Sequence, residues 1–164
     1  MNSTNISLTT FDDCNKCRKC CIFNETELSE APLITNEIKL DIIHKFNMST
    51  TDFEAIGSLW RIKLKAAERP GHWVCPMYDA NNNICLIQSQ KPYNCVLYPF
   101  YVMRKEDKLI IGLSQVCPVT AKKNDEFLRN YANGILKVKI VEQIEAFPEY
   151  IMDFRPEAKI LTEI

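Results

Sequence analysis

The distribution of apolar residues predicts two helical regions. The first covers Asn36–Phe46, where apolar residues repeat at spacings of three and four, and Thr35 or Asn36 can cap its start. The second covers residues 120–147, with Gly134 able to divide it and a short tail expected after Pro148. The face predicted to be buried in the first region consists of Ile38, Ile42, Ile43 and Phe46. In the second region it consists of Phe127, Leu128, Tyr131, Ile135, Val138, Val141 and Ile144.

Extended segments are predicted between these helices. Trp60, Ile62 and Leu64 alternate with basic residues, which is typical of a half-buried strand. A hairpin is expected around the charged run Lys105–Lys108, because apolar residues alternate on both sides of it. A short helix is also expected over about Asp52–Gly57, because a serine or threonine just before it can act as a cap.

Composition narrows the class of protein. The chain has 164 residues, of which 46% are hydrophobic and 25% charged, and its formal net charge is −1. These values are those of an ordinary globular protein and give no sign of a nucleic-acid or membrane-surface binder. Its 4 glycines leave little room for a phosphate-binding loop or a dinucleotide fingerprint. Met1–Asp13 has neither the basic start nor the apolar stretch of a signal peptide, so we expect a cytoplasmic protein.

The candidate chemistry lies in the cysteines, of which the chain has 8. Cys14, Cys17 and Cys20 are spaced two residues apart, and Cys21 follows directly. Three thiols at this spacing resemble the ligand loops of ferredoxin-type clusters, whereas zinc more often takes two separated pairs. In a reducing cytosol these thiols are free for metal, so we expect an iron–sulfur cluster, 4Fe-4S or larger, with zinc as the alternative.

The other cysteines are dispersed and lie in or beside predicted turns. Asn81–Asn83 is a turn sequence that we expect to bring Cys75 and Cys85 together. Pro92 fits the first position of a short helix that carries Cys95. Eight thiols suffice for two four-cysteine sites, one larger cluster, or one four-cysteine cluster with spare thiols. The predicted ligands are Cys14, Cys17, Cys20, Cys21, Cys75, Cys85, Cys95 and Cys117.

Residues near the later cysteines can tune such a centre. Lys91 and Arg104 bring positive charge, which lowers the energy of thiolates and raises the potential of a cluster. A surrounding layer of aromatic side chains limits solvent access to a cluster. The aromatic residues beside these cysteines are Trp73, Tyr78, Tyr93, Tyr98, Phe100 and Tyr101.

The ordered set of these motifs resembles a known family. The run from Cys14 to Cys21 is followed by Cys75-Pro76, then by Cys85-x5-Lys91-Pro92-x2-Cys95-x2-Tyr98-Pro99-Phe100, and then by Cys117-Pro118. This pattern is similar to that of the CxxCxxCC family, also called the YkgJ family, which is described as a zinc- or iron-chelating domain. Two positions depart from it, because Lys91 and Val96 stand where the family commonly has arginine.

The resemblance covers roughly residues 14–118 and implies metal at all eight cysteines; together with the patterns above it predicts the following organisation. Residues 1–13 are expected to form a flexible lead-in, residues 14–118 the metal-binding domain, and residues 119–164 a helical extension packed on that domain. The predicted fold class is α+β, a small irregular single domain of helices and short hairpins around a cysteine-rich metal centre.

Three functions remain open at this point. The first is an iron–sulfur protein for electron transfer or assembly within a larger complex or with a redox partner, rather than a stand-alone enzyme, with no nucleic acid and no membrane involved. The second is a zinc-structured interaction module. The third is an S-adenosylmethionine-dependent protein methylase, because some larger members of the family resemble flagellin lysine N-methylase.

Overall fold

The structure is a computed structural model that describes residues 7–164. It consists of two compact units. We call Cys14–Cys95 the cysteine unit, and residues 7–13 with Val96–Ile164 the sheet unit. The predicted lead-in includes residues 1–6, which lie outside the described residues, and the predicted domain boundaries stay predictions.

Short elements dominate the chain up to the end of the cysteine unit. Its α-helices are α1 (Phe11–Cys17), α2 (Asn36–Phe46) and α3 (Tyr93–Leu97). Its strands are β1 (Ile22–Asn24), β2 (Leu33–Ile34), β3 (Phe53–Ile56), β4 (Leu59–Ile62), β5 (Lys65–Ala66), β6 (His72–Val74), β7 (Tyr78–Asp79) and β8 (Ile84–Cys85). Single turns of 3-10 helix cover Lys19–Cys21, Thr50–Asp52 and Gln88–Gln90, and a longer one covers Glu25–Glu30.

These strands form two small antiparallel sheets and a hairpin. The sheet orders are β1-β6-β5 and β2-β4-β3, and β7 pairs with β8. Helix α2 confirms the prediction, and the Thr35 hydroxyl accepts a hydrogen bond from the Ile38 amide at 3.4 Å. Ile42 belongs to the buried core of the unit, and Ile38, Ile43 and Phe46 pack against it. This core also includes Cys75 and Met77, so it directly supports the cysteine segments.

The predicted helix over Asp52–Gly57 is wrong. A serine caps the segment as expected, but the helix is only the single 3-10 turn over Thr50–Asp52. The chain then continues as β3, because Phe53 is buried opposite Ile62 on β4. The connection is the two-residue turn Gly57-Ser58, in which Gly57 has a positive φ of 55°. Gly-Ser is a hairpin sequence, so this signal was present in the chain.

The sheet unit contains one four-stranded sheet and a helical region. Its elements are β9 (Phe100–Lys105), β10 (Lys108–Leu113), α4 (Asp125–Tyr131), α5 (Lys137–Ala146), β11 (Ile151–Asp153) and β12 (Lys159–Glu163), with 3-10 turns at Thr120–Lys122 and Pro148–Tyr150. The sheet order is β11-β9-β10-β12, in which β11 is parallel to β9 and the other pairs are antiparallel. The β9–β10 hairpin confirms the prediction. The segment after Pro148, for which only a short tail was expected, contains β11 and β12, which extend the sheet at its two edges.

The predicted buried face of the last helical region is wrong in part, because only Leu128 and Ile144 of it are buried. Phe127, Ile135 and Val138 are exposed, and the buried residues instead follow one another at spacings of four. Between α4 and α5, Ala132–Leu136 forms a π-helical turn in which Gly134 leaves helical geometry, with φ −89° and ψ −125°. This interruption shifts the ordinary 3.6-residue repeat, so residues four apart stay on one face across it. The buried residues of the region are Leu128, Ala132, Leu136, Ile140 and Ile144.

The predicted α+β class is confirmed, because helices alternate with several small sheets in a cysteine-rich chain. Within residues 7–164, none of the helices has the length and apolar character needed to cross a membrane.

Candidate metal centre

The first cysteine segment bends back on itself after α1. Arg18 adopts the left-handed backbone conformation, with φ 52° and ψ 11°. Its amide donates a hydrogen bond to the Cys14 carbonyl at 3.1 Å, and the Cys21 amide donates to the Arg18 carbonyl at 2.9 Å. A left-handed residue after a helix commonly ends it in this way. The bend allows Cys14, Cys20 and Cys21 to line the same cavity.

Strand pairing places the next cysteine beside this segment. β1 pairs antiparallel with β6, and Ile22 lies opposite Val74. Cys21 precedes Ile22 and Cys75 follows Val74, so the two cysteines are neighbours across the end of the ladder. The Cys75 amide donates a hydrogen bond of 3.0 Å to the Cys21 carbonyl. The sheet therefore joins two cysteines that are far apart in the sequence.

The hairpin of β7 and β8 brings in Cys85, which pairs with Tyr78. Its turn is stabilised by Asp79, whose carboxylate accepts hydrogen bonds from the amides of Asn81 and Asn82 at 2.9 and 3.3 Å. The Tyr78 amide donates to the Cys75 carbonyl at 3.0 Å, so the hairpin starts directly at that cysteine. The prediction that this turn brings Cys75 and Cys85 together is confirmed, because both line the cavity.

Asn94 positions α3, and with it Cys95. The Asn94 side-chain amide donates to the carbonyls of Glu30 and Ala31, both at 3.2 Å. Its side-chain oxygen accepts a hydrogen bond from the Leu33 amide, also at 3.2 Å. One side chain thus ties the helix to the segment that leads into β2.

These elements gather six cysteines around one cavity of the cysteine unit. They are Cys14, Cys20, Cys21, Cys75, Cys85 and Cys95. Cys17 lies half-buried at the end of α1 and is not among the described residues that line the cavity. Cys117 belongs to the sheet unit, where it is buried and its carbonyl accepts a hydrogen bond from the Thr120 hydroxyl at 3.2 Å. All eight cysteines are free thiols, and their assignment as ligands stays a prediction.

Four thiols of the cavity have a raised pKa. Burial raises the pKa of Cys75 to about 12. A hydrogen bond with the Cys21 side chain, together with burial, raises the pKa of Cys20. Burial also raises the pKa of Cys85 and, much further, that of Cys95, whose thiol is surrounded by protein atoms although part of the residue is exposed. A metal that binds here therefore has to displace protons.

The donor set fits a thiophilic metal. Sulfur ligands select zinc, copper(I) and iron–sulfur clusters, and none of the described residues that line the cavity is a carboxylate. Gln88 also lines it, and the side-chain oxygen of Gln88 is buried with no hydrogen-bond donor among residues 7–164. Within the same residues, no three histidine, cysteine or carboxylate side chains are grouped closely enough to hold a single ion as they stand. Loading therefore requires the thiols to move together.

The space inside the cavity is small. Its volume is about 20 Å³, and one water molecule needs about 10–15 Å³. A space of this size admits an ion or a water molecule.

The residues predicted to tune the centre divide between the two units. Lys91 lines the cavity, and its ammonium lies 3.9 Å from the Cys14 Sγ. Arg104 is an exposed residue of β9 in the sheet unit. Of the predicted aromatic layer, Tyr78 lines the cavity and Trp73 packs against the core of the cysteine unit.

Three residues of the site were not predicted from the sequence: Arg18, Gln88 and Asn94. Arg18 had a weak signal, because it lies within the cysteine run. The position of Gln88 near the thiols depends on the fold of the segment between β8 and α3. The bonds of Asn94 reach residues more than 60 positions earlier in the chain, and no local pattern reveals them.

Comparison with known proteins agrees with the cysteine pattern. The family CxxCxxCC, described as "Putative zinc- or iron-chelating domain", matches residues 13–127. The chain belongs to the CxxCxxCC family. The matched region contains all eight cysteines, so the predicted family and its metal-binding character are confirmed. No curated protein and no solved structure matches the chain.

Proposed function

We propose that the cysteine unit of this CxxCxxCC protein binds an iron–sulfur cluster through cysteine thiolates. The observation that carries this proposal is the convergence of six thiols on one cavity. A structural zinc ion takes four ligands, so six thiols exceed what one zinc ion uses. They are enough for a centre of several metal atoms, in which different thiols ligate different metals. The loop spacing from Cys14 to Cys20 also supports a cluster.

The proposed role is electron transfer or assembly within a larger metalloenzyme system, in the cytoplasm. In such a role the protein supplies the ligands, the potential and the solvent exposure of the cluster. The described part of the cavity wall offers thiols, apolar side chains and two cations, and it has little room for an organic substrate. These groups suit a protein that carries a metal centre for electron transfer or hands it to another protein during assembly. A redox partner or a larger complex is therefore the proposed partner.

Zinc is the second candidate, and the size of the cavity favours it. The open space fits an ion better than a cluster core. A zinc-structured module would use four of the thiols and would lose its fold when the metal is chelated.

Anaerobic purification with metal and sulfide analysis separates these candidates. An iron–sulfur protein is brown, absorbs visible light, and contains iron and acid-labile sulfide in similar amounts. Zinc without iron or sulfide would exclude the cluster and leave the second candidate. A preparation without either metal, also after reconstitution, would exclude both.

A further inference from the structure

Lys91 lies within the thiol cavity. It follows the 3-10 turn Gln88–Gln90 and is half-buried. Its ammonium lies 3.9 Å from the Cys14 Sγ, a long hydrogen-bond contact with sulfur as acceptor. The segment before it is fixed to α2, because the side-chain amide of Gln90 donates to the Asp41 carboxylate at 2.9 Å. The backbone next to Lys91 is therefore held in place.

Arg18 is the second cation of the cavity wall. It is only 5% exposed, and its guanidinium donates a hydrogen bond to the Asn83 carbonyl. Its guanidinium carbon also lies 5.7 Å from the centre of the Tyr78 ring. These contacts hold a permanent positive charge beside the hairpin that carries Cys85.

The charged side chains that line the described part of the cavity are all positive. The described lining residues include two cations and no carboxylate. A divalent ion held by four thiolates carries two surplus negative charges, and little water is present in a buried site to stabilise them. The Lys91 ammonium lies 3.9 Å from the Cys14 sulfur, and the Arg18 guanidinium is bonded to Asn83 of the hairpin that carries Cys85. The cations thus face the sulfurs that become negative when metal binds.

We propose that Lys91 is a positioning residue of the metal centre: its ammonium orients the Cys14 sulfur and, together with Arg18, compensates the negative charge of the loaded thiolates. This inference rests on the proposed metal-binding function and adds the groups that balance its charge. It makes the loaded site depend on a lysine that does not itself ligate the metal.

The test is an anaerobic Co²⁺ titration of the full chain, read from the thiolate-to-cobalt absorption band in the presence of a competing chelator. Lys91→Met removes the charge and keeps the aliphatic stem, whereas Lys91→Arg keeps the charge. Lys63→Met is the matched control, because Lys63 is an exposed lysine of the same unit. We expect Lys91→Met to weaken Co²⁺ binding about 10–100-fold, as residues that hydrogen-bond to metal ligands typically do. Lys91→Arg and Lys63→Met should bind like the unmodified protein.

Equal affinities of Lys91→Met and the unmodified protein would overturn the inference while leaving metal binding intact. An equal loss in Lys91→Arg would also overturn it, since shape rather than charge would then matter. If the unmodified protein binds no Co²⁺, the inference fails, whereas the proposed function is decided separately by the metal and sulfide analysis.

A second measurement avoids substitution, in case Lys91→Met does not fold. Lysine acetylation of the unmodified protein is followed by mass spectrometry with and without Co²⁺. Metal should slow the labelling of Lys91 and leave that of Lys63 unchanged, because thiolates hold the Lys91 ammonium. Equal labelling of Lys91 in both states would contradict the proposal.

Discussion

The amide of Cys75 donates a hydrogen bond of 3.0 Å to the carbonyl of Cys21, across the end of the β1–β6 ladder. This contact joins the dense cysteine segment to the dispersed cysteines. Because it is a backbone bond, it holds the two cysteines together without any metal. The cysteine unit therefore presents a partly assembled site to an incoming metal.

Replacement of one cavity thiol should remove metal without unfolding the strand that carries it. We expect Cys85→Ser to lower the metal content of the anaerobically purified protein severalfold, because a serine hydroxyl is a poor ligand for thiophilic metals. Leu86→Ser is the matched control, because Leu86 is the next residue and is 40% exposed. The metal content of both variants is compared with that of the unmodified protein. Equal metal in Cys85→Ser and Leu86→Ser would remove Cys85 from the ligand set.

Metal binding should release protons, and the apparent affinity should rise with pH. The pKa values of Cys20, Cys75, Cys85 and Cys95 are raised, so these thiols are protonated at pH 7 and each gives up its proton when it ligates metal. Titration calorimetry in buffers of different ionisation enthalpy measures the number released. We expect several protons per centre. If no protons were released, the thiols with raised pKa values would not be ligands.

The same raised pKa values should make the metal-free protein less stable at alkaline pH. A thiol whose pKa is raised on folding stabilises the native state below the ordinary thiol value, and this contribution is lost as the pH rises through the raised value. For Cys75 the window extends from 9.0 to about 12. Urea unfolding of the metal-free protein should therefore show falling stability across this range. A constant free energy of unfolding there would contradict the burial of these thiols.

Asn94 should be important for stability as well as for the position of Cys95. Asn94→Ala removes three hydrogen bonds and leaves the amide of Leu33 and two carbonyls without this partner. An unsatisfied buried polar group costs about 1–3 kcal/mol, so we expect the free energy of unfolding to fall by at least that amount. The exposed Asn130→Ala is the control and should stay within about 0.5 kcal/mol. A loss in Asn94→Ala no larger than in the control would mean that these bonds add nothing.

Gly112 tests the packing of the four-stranded sheet. A Cβ at this position would lie 2.2 Å from the Met103 Cε and 3.4 Å from the Ala158 Cβ. Met103 is fully buried, so its terminal methyl has little room to move away. Gly112→Ala should cost about 1–3 kcal/mol in urea unfolding, as overpacking typically does. In a Met103→Ala background the same substitution should cost clearly less, and an unchanged cost would place the strain elsewhere.

Local patterns predicted the elements whose residues are close together in the chain. Helix α2, the β9–β10 hairpin and the turn between Cys75 and Cys85 depend on caps, alternation and turn residues within a few positions. The cysteine spacing and its family also followed from the sequence. These features need no knowledge of what packs against them.

Long-range pairing decided the features that sequence patterns did not predict. The segment after Asp52 became a strand because Phe53 finds a partner in Ile62, which lies beyond the next turn. The buried face of the last helical region depends on a π-helical turn at Gly134. The cavity itself depends on the register of β1 with β6, which brings Cys21 to Cys75. A list of cysteines therefore did not tell which six line one cavity.

X-ray absorption at the edge of the bound metal tests the central claim most directly. The protein is purified without oxygen, and the spectrum is recorded at the edge of the metal that it contains. The account predicts a first shell of sulfur, at about 2.3 Å if that metal is zinc. For an iron–sulfur cluster it also predicts an iron–iron distance, which a single ion lacks. A first shell of only nitrogen and oxygen atoms would contradict a centre held by cysteine thiolates.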